Sequence, residues 1–199
     1  MEMEDPLELF EVWFAKARLK ELNDPNAMYV ASVDEDGLPN IRVVLMKDYD
    51  HNGFVFYTNT QSAKGTELLT SPRAAFCFNW KSLNKSVVVR GNVGLVADGE
   101  ADAYFQSRAR QSRLGAWASK QSRPLKSKAH LLKEVAGYAL KFGVGQIPRP
   151  DHWTGFRLNP LQIDFRDETT APAKLIRYDK THTGLWQIEP VVDLHTQAT

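Results

Sequence analysis

The sequence predicts a mainly β fold with helices added (α+β), a small antiparallel barrel with the helices packed outside it. Three observations carry this expectation. Short runs rich in β-branched and aromatic residues recur from Ala27 onward, as "AMYVASV", "NIRVVLMK", "GFVFYTN", "RAAFCFNW" and "SVVVRGNVGLV". Compact turn signals separate several of them, at Asp34-Glu35-Asp36-Gly37, Asp50-His51-Asn52-Gly53 and Ser82-Leu83-Asn84, and strands joined so briefly must run antiparallel. Strand-like runs then return late, at "HWTGFRL", "LQIDF", "AKLIRY" and "LWQIE", where they can close the barrel.

The first element is a helix. Asp5 offers an N-cap, Pro6 suits the first helical position, Glu8 completes a capping box, and Leu7, Phe10, Trp13, Phe14 and Ala17 recur at helical spacing. It should end near Asn23-Asp24-Pro25. A short helix interrupts the strands from about Ser62 to Leu69, stopped by Pro72. Two more follow, near Gly99 to Arg108 and near Ser127 to Phe142, the latter with Leu132, Val135, Ala136 and Ala139 on one face. Between them, Gly115-Ala116-Trp117 is expected to form a packed turn. No internal repeat or low-complexity linker divides the chain, so residues 1–199 are expected to form one domain.

Composition narrows the function classes. The 25 basic residues against 24 acidic ones argue against a surface that binds nucleic acid or anionic membrane as a whole, so any anion site must be local. No apolar run approaches membrane-spanning length, and Met1-Glu2-Met3-Glu4-Asp5 is acidic where a secretory signal would be basic. Cys77 is the only cysteine, which excludes an intrachain disulfide and suits a reducing cytoplasm. Without export, the Asn84-Lys85-Ser86 sequon is a chance match. There is no Walker loop, no Gly-rich dinucleotide fingerprint and no Cys or His pair at metal-ligand spacing, so no metal site is expected. Cys77 lies inside an apolar strand, where a structural thiol is expected rather than a nucleophile.

Three places carry positive signals. In "NIRVVLMK", Arg42 and Lys47 bracket four apolar residues, and alternation sends them to opposite faces unless the strand bends. A strand-borne Arg suits a phosphate or a carbonyl-rich ring, and an edge strand with charged ends is the alternative. In "FYTNTQSAKG", Tyr57 and Thr58 end a strand, Ser62 caps a helix, and Lys64 sits in its first turn against the dipole preference, which hints at a bound anion. An ordinary solvated Lys remains the competing explanation. The third place begins at "SRARQSRLGAWASKQSRP". Between Asp102 and Glu134 no acidic residue occurs, while Arg108, Arg110, Arg113, Lys120, Arg123, Lys126, Lys128 and Lys133 do. Such a run can grip nucleic-acid backbone or the phosphates of small ligands. A solvated basic face is the plain alternative, but the missing acidic partners and the central Gly115 and Trp117 speak against it.

The chain resembles the pyridoxamine 5'-phosphate oxidase family from about Asp5 to Phe165. The matches are "DPNAM", "RVVLMK", "FYTN", the Ser62-x-Lys64 pair, "YFQSRARQSRLGAWASKQSRP" and "IPRPDHWTGFRL". The resemblance implies a Greek-key split β-barrel homodimer with FMN in a cleft at the subunit interface. Carried over by position, FMN contacts would come from Arg42, Val43, Val44, Leu45, Met46, Lys47, Tyr57, Thr58, Lys64, Ser86, Gln121 and Ser122. The substrate phosphate would be held by Lys47, Tyr104, Arg108 and Ser112. The implied reaction oxidises pyridoxamine or pyridoxine 5'-phosphate to pyridoxal 5'-phosphate: hydride leaves C4' for the flavin, and dioxygen reoxidises the flavin to give hydrogen peroxide. The cofactor carries the redox step, while the protein supplies grip, orientation and electrostatics. No nucleic-acid or membrane partner is implied.

The resemblance breaks after "LQIDF". There the family has a Trp that contacts FMN, and then an Arg-x-His-x-Arg motif. The motif's first Arg and its His face the substrate, and its last Arg faces FMN. Here the chain reads "RDETTAPAKLIRYDK". Arg166 stands at the Trp position, Pro172 and Lys174 lie near the places of the Arg and His, and Arg177 can replace the last Arg if one residue is inserted. Ser86 stands where the family usually offers Gln, and Ala63 where many members have Arg. The segment that covers the substrate in some members, N-terminal to the barrel, is expected to be missing or very short. Two readings follow: an oxidase in which Lys174, Arg177 or His182 orients the substrate, or a protein that binds FMN or a pyridoxal phosphate-like ligand with little turnover. Reduction of another substrate by bound FMN would need a nicotinamide donor, for which no motif is present.

Overall fold

The computed structural model of the 199-residue chain describes residues 4–119 and 127–192. Helix α1 (Pro6–Lys20) begins as its caps dictate, with Asp5 accepting a hydrogen bond from the Leu7 amide at 2.8 Å. It places Phe10, Trp13, Phe14 and Ala17 into the core, where Phe10 meets Phe54 edge-on at 4.8 Å and Phe78 at 5.1 Å. Strands β1 (Ala27–Val33), β2 (Pro39–Leu45), β3 (Asp48–Asp50) and β4 (Gly53–Asn59) follow, then helix α2 (Ala63–Thr70). Strands β5 (Arg73–Trp80) and β6 (Lys85–Leu95) lead to helices α3 (Asp98–Ser107), α4 (Arg110–Ala118) and α5 (Lys128–Phe142). Strands β7 (Trp153–Asp167), β8 (Lys174–Lys180) and β9 (Trp186–Val192) complete the described chain.

Every strand pairing is antiparallel, in the order β2-β1-β5-β6-β7-β4-β3, with β8 on β7 and β9 on β8. This is the antiparallel split barrel with peripheral helices that the sequence predicts. Strand β7 is its spine. Its first half pairs with β4, its second half with β8, and β6 runs along its whole opposite edge.

Four expectations about elements change. "HWTGFRL" and "LQIDF" form one 15-residue strand, because Pro160 falls between the end of the β4 ladder at Leu158 and the start of the β8 ladder at Gln162, where no partner needs its missing N–H. The β6–β7 register shifts beside it, between Arg90 and Gly91. A Cβ on Gly91 would lie 2.0 Å from the Asn159 carbonyl oxygen, so the close approach at this bulge requires glycine. Second, the three-residue strand β3 was not expected. Third, the turn expected at Gly115-Ala116-Trp117 is part of helix α4, which buries Leu114 and Ala118 one turn apart. Fourth, α5 packs through Val135, Tyr138, Ala139 and Phe142, leaving Leu132 66% exposed and Ala136 outward. The two aromatic rings decide the face, since they bury more area and meet Trp117 at 5.6 and 5.4 Å.

Candidate active site

Two sites meet at the end of β4. The first is an anion cradle. Beyond Asn59 the chain turns into α2, where the Ser62 hydroxyl donates to the Asn59 carbonyl at 2.7 Å and accepts from the Gly65 amide at 3.3 Å. Gly65 permits this turn, because a Cβ there would come within 2.5 Å of the Asn59 carbonyl oxygen. From the first turn of α2, Lys64 Nζ donates to Thr58 Oγ1 at 3.1 Å and Ser62 Oγ at 3.4 Å. Arg42 reaches the same place from β2. Its guanidinium donates to the buried carboxylate of Glu67 at 2.8 Å and to the Ser32 hydroxyl. Burial pushes the Lys64 ammonium below the ordinary lysine range, and the Arg42 charge pushes it further, against the pull of Glu67. Lys64 in the first turn of a helix with no acidic residue there, beside an Arg42 that is itself paired with Glu67, fits a phosphate group.

The second site is a cavity of about 280 Å³ lined by Asn59, Arg108, Ser112, Gly115, Ala116, Ser119 and Trp153. Trp153 joins this wall to an aromatic stack behind it: Tyr57 lies 4.0 Å from Tyr104 at 15° and 5.2 Å from Trp153 at 10°. The Arg108 guanidinium sits 4.8 Å above the Trp153 ring. Arg108 Nη1 is buried and has no hydrogen-bond partner among the described residues. A buried cationic donor without a partner is costly, and the same side chain brings its charge to the wall of the cavity. Burial lowers the Arg108 guanidinium below its ordinary value. The Tyr57 phenol moves the other way, pushed up by burial and then by Glu100, to which it donates at 3.5 Å. It therefore stays protonated and serves as a wall rather than as an acid or base.

Asn59 belongs to both sites, and His152 ties them together. Its backbone carbonyl accepts from the Thr60 amide at 2.8 Å, and its ring Nε2 lies 3.2 Å from the Ala116 carbonyl oxygen.

The structure thus brings together Arg42, Thr58 and Lys64 as one group, and Tyr104, Arg108 and Ser112 as another, with Tyr57 stacked on Tyr104 in the second. Strand β2 ends at Leu45 and the chain crosses to β4, where the Lys47 amide donates to the Val55 carbonyl at 2.8 Å. Lys47 therefore parts from Arg42 and lines a different cavity of about 310 Å³, with Phe14, Arg18, Asn26 and Asp48. Met46 is buried, Val44 packs on the core, Leu45 is half-buried, and Val43 points outward at 57% exposure. Ser86 sits in β6 directly between Asn79 and Arg166, on the face opposite the buried Val87 and Phe165. Gln121 and Ser122 lie outside the described residues. In the altered late segment, Arg177 is clamped by Asp164 through two 2.8 Å bonds and Arg166 pairs with Glu168 at 2.7 Å, while His182 is exposed in the β8–β9 turn. Sequence reading missed Asn59, Glu67 and Trp153. Glu67 carried one usable signal, as the lone acidic residue of a short helix whose first turn holds Lys64.

A family model described as pyridoxamine 5'-phosphate oxidase matches residues 14–141. The chain belongs to the pyridoxamine 5'-phosphate oxidase family. Among curated members, a pyridoxine/pyridoxamine 5'-phosphate oxidase of Allorhizobium ampelinum is 58% identical over 161 residues, 81% of this chain and 78% of that protein. One of Rhizobium etli is 57% identical over 185 residues, 92% and 90% of the two chains. Among solved structures, PhzG of Burkholderia lata in complex with tetrahydrophenazine-1-carboxylic acid superposes with a TM-score of 0.89 at 25% identity, covering 96% of this chain and 94% of that one. A pyridoxamine 5'-phosphate oxidase-related, FMN-binding protein of Nostoc punctiforme shares the fold with a TM-score of 0.77 at 17% identity, covering 96% and 99%.

Proposed function

We propose that this oxidase-family protein binds FMN and oxidises pyridoxamine or pyridoxine 5'-phosphate to pyridoxal 5'-phosphate with dioxygen, releasing hydrogen peroxide. The observation that carries the reading is Arg108, which lines a cavity with Trp153 and holds a buried Nη1 without a partner among the described residues, together with the Arg42–Lys64 cradle at the start of α2. Two adjacent anion sites suit a phosphorylated cofactor and a phosphorylated substrate held against each other. The names of the curated relatives support the same chemistry.

Arg42, Thr58 and Lys64 would hold the flavin phosphate, and Tyr104, Arg108 and Ser112 the substrate phosphate. FMN, when bound, supplies the redox chemistry, taking two electrons from the substrate carbon and passing them to dioxygen. The chain's own share is grip and water exclusion. The raised Tyr57 phenol keeps its proton throughout.

The assembly we propose is a homodimer. Tyr29, Ile41 and Val43 are 44%, 69% and 57% exposed, and their rows continue through Ala31, Ala75 and Cys77 as an apolar sheet face suited to a second copy. The same proposal places the protein in the cytoplasm as one FMN-binding domain, with Ser86, Gln121 and Ser122 contacting the flavin.

A second reading, an FMN-binding protein with little turnover, is favoured by one observation. Arg166 and Arg177, at the positions that replace the family's late contacts, are both neutralised by neighbouring carboxylates. Peroxide release on adding pyridoxamine 5'-phosphate to the FMN-loaded protein tests the proposal; bound flavin without peroxide would favour the second reading, and failure to take up FMN would defeat both.

A further inference from the structure

We propose that Glu67 is a positioning residue of the anion cradle, fixing the Arg42 guanidinium beside Lys64 so that the cradle is formed before any phosphate arrives. This rests on reading the cradle as the flavin phosphate site. Glu67 is 6% exposed and lies on α2, facing the β1–β2 hairpin. Its Oε1 accepts from Asn40 Nδ2 at 2.8 Å. Its Oε2 accepts from Arg42 Nη2 at 2.8 Å and from the Ser32 hydroxyl. Ser32 in turn accepts from Arg42 Nη1, so Arg42, Ser32 and Glu67 close a ring. The Val30 carbonyl adds a fourth restraint, accepting from Nη1 at 3.3 Å.

A buried carboxylate of this kind is weak evidence for stability, because a well-packed apolar group in its place often does as well. Its chemical effect is more specific. Arg42 and Lys64 repel each other, and each lies on a flexible stem that free rotation would carry apart. Glu67 offsets the repulsion and holds one of the two cations in a fixed rotamer. A phosphate then meets an oriented donor pair and does not have to order it on binding.

The test is a double-mutant cycle on the full chain, titrated with FMN and with riboflavin, which lacks the phosphate. Glu67→Ala is expected to weaken FMN about tenfold and riboflavin less than about threefold. In the Arg42→Ala background, Glu67→Ala is expected to cost nothing further, because its effect passes through Arg42. Glu67→Gln, which keeps the shape without the charge, runs the same cycle and is expected to show the same pattern should the alanine variant fail to fold. Additive losses from Glu67 and Arg42, or equal weakening of FMN and riboflavin, would overturn the positioning role while leaving the cradle a phosphate site. Full FMN affinity in Arg42→Ala alone would overturn both the inference and the reading on which it rests.

Discussion

Replacing Arg108 by Ala separates the proposed substrate site from the proposed cofactor site. The side chain brings to its cavity a guanidinium with one buried, unpartnered nitrogen, lying over Trp153 at 4.8 Å. A hydrogen bond to a charged group contributes about 1.5–3 kcal/mol, so one lost contact to a phosphate costs roughly 10- to 150-fold in kcat/KM, and a bidentate pair more. Stability should move the other way. The free protein loses a cation–π contact of about 0.5–2 kcal/mol but also sheds an unsatisfied buried donor that costs about 1–3 kcal/mol. The variant should therefore unfold at or above the wild-type temperature. The assay pairs steady-state peroxide release against pyridoxamine 5'-phosphate concentration with FMN titration and a thermal melt. Equal losses for FMN and substrate, or a clear drop in Tm, would refute the assignment of Arg108 to a substrate anion.

Three further outcomes follow from the same geometry. FMN affinity should fall from neutral toward alkaline pH, with the fall beginning below the ordinary lysine range, because burial and Arg42 depress the Lys64 ammonium; Lys64→Met should bind FMN more weakly and lose this pH dependence. The Glu67 carboxyl is pushed up by burial but held below the usual range overall by Ser32, Arg42 and Asn40. Its stabilisation is therefore full above the unfolded carboxyl's pKa and is lost as pH falls through the depressed folded value, so urea-unfolding curves of wild type and Glu67→Gln should converge on acidification. Gly91→Ala should cost about 2–3 kcal/mol by denaturant titration, because the new Cβ meets the Asn159 carbonyl oxygen at 2.0 Å.

What the sequence discloses divides by range. Helix α1 was legible because Asp5, Pro6 and the Phe10–Trp13–Phe14–Ala17 stripe act within a few residues of each other. Ser62 and Lys64 were legible for the same reason, since a cap and a first-turn cation are local facts. The unity of β7 was not, because Pro160 is harmless only where two partner strands leave a gap, and those partners lie far away in sequence. Two apolar stripes on α5 competed, and the choice fell to Trp117 on another helix. Glu67 looked like an ordinary surface acid until β1 and β2 brought Ser32, Asn40 and Arg42 around it. Likewise, Lys47 lines a different cavity from Arg108, which depends on where β2 stops and the chain crosses to β4.

The late segment "RDETTAPAKLIRYDK" folds as the end of β7 and the whole of β8, so it continues the barrel sheet, and turnover has to be tested directly. That makes one measurement decisive. FMN-loaded protein, mixed without oxygen with pyridoxamine 5'-phosphate, should lose its oxidised flavin absorbance and release peroxide when air is admitted. Flavin that stays oxidised while substrate binds would contradict the oxidase account.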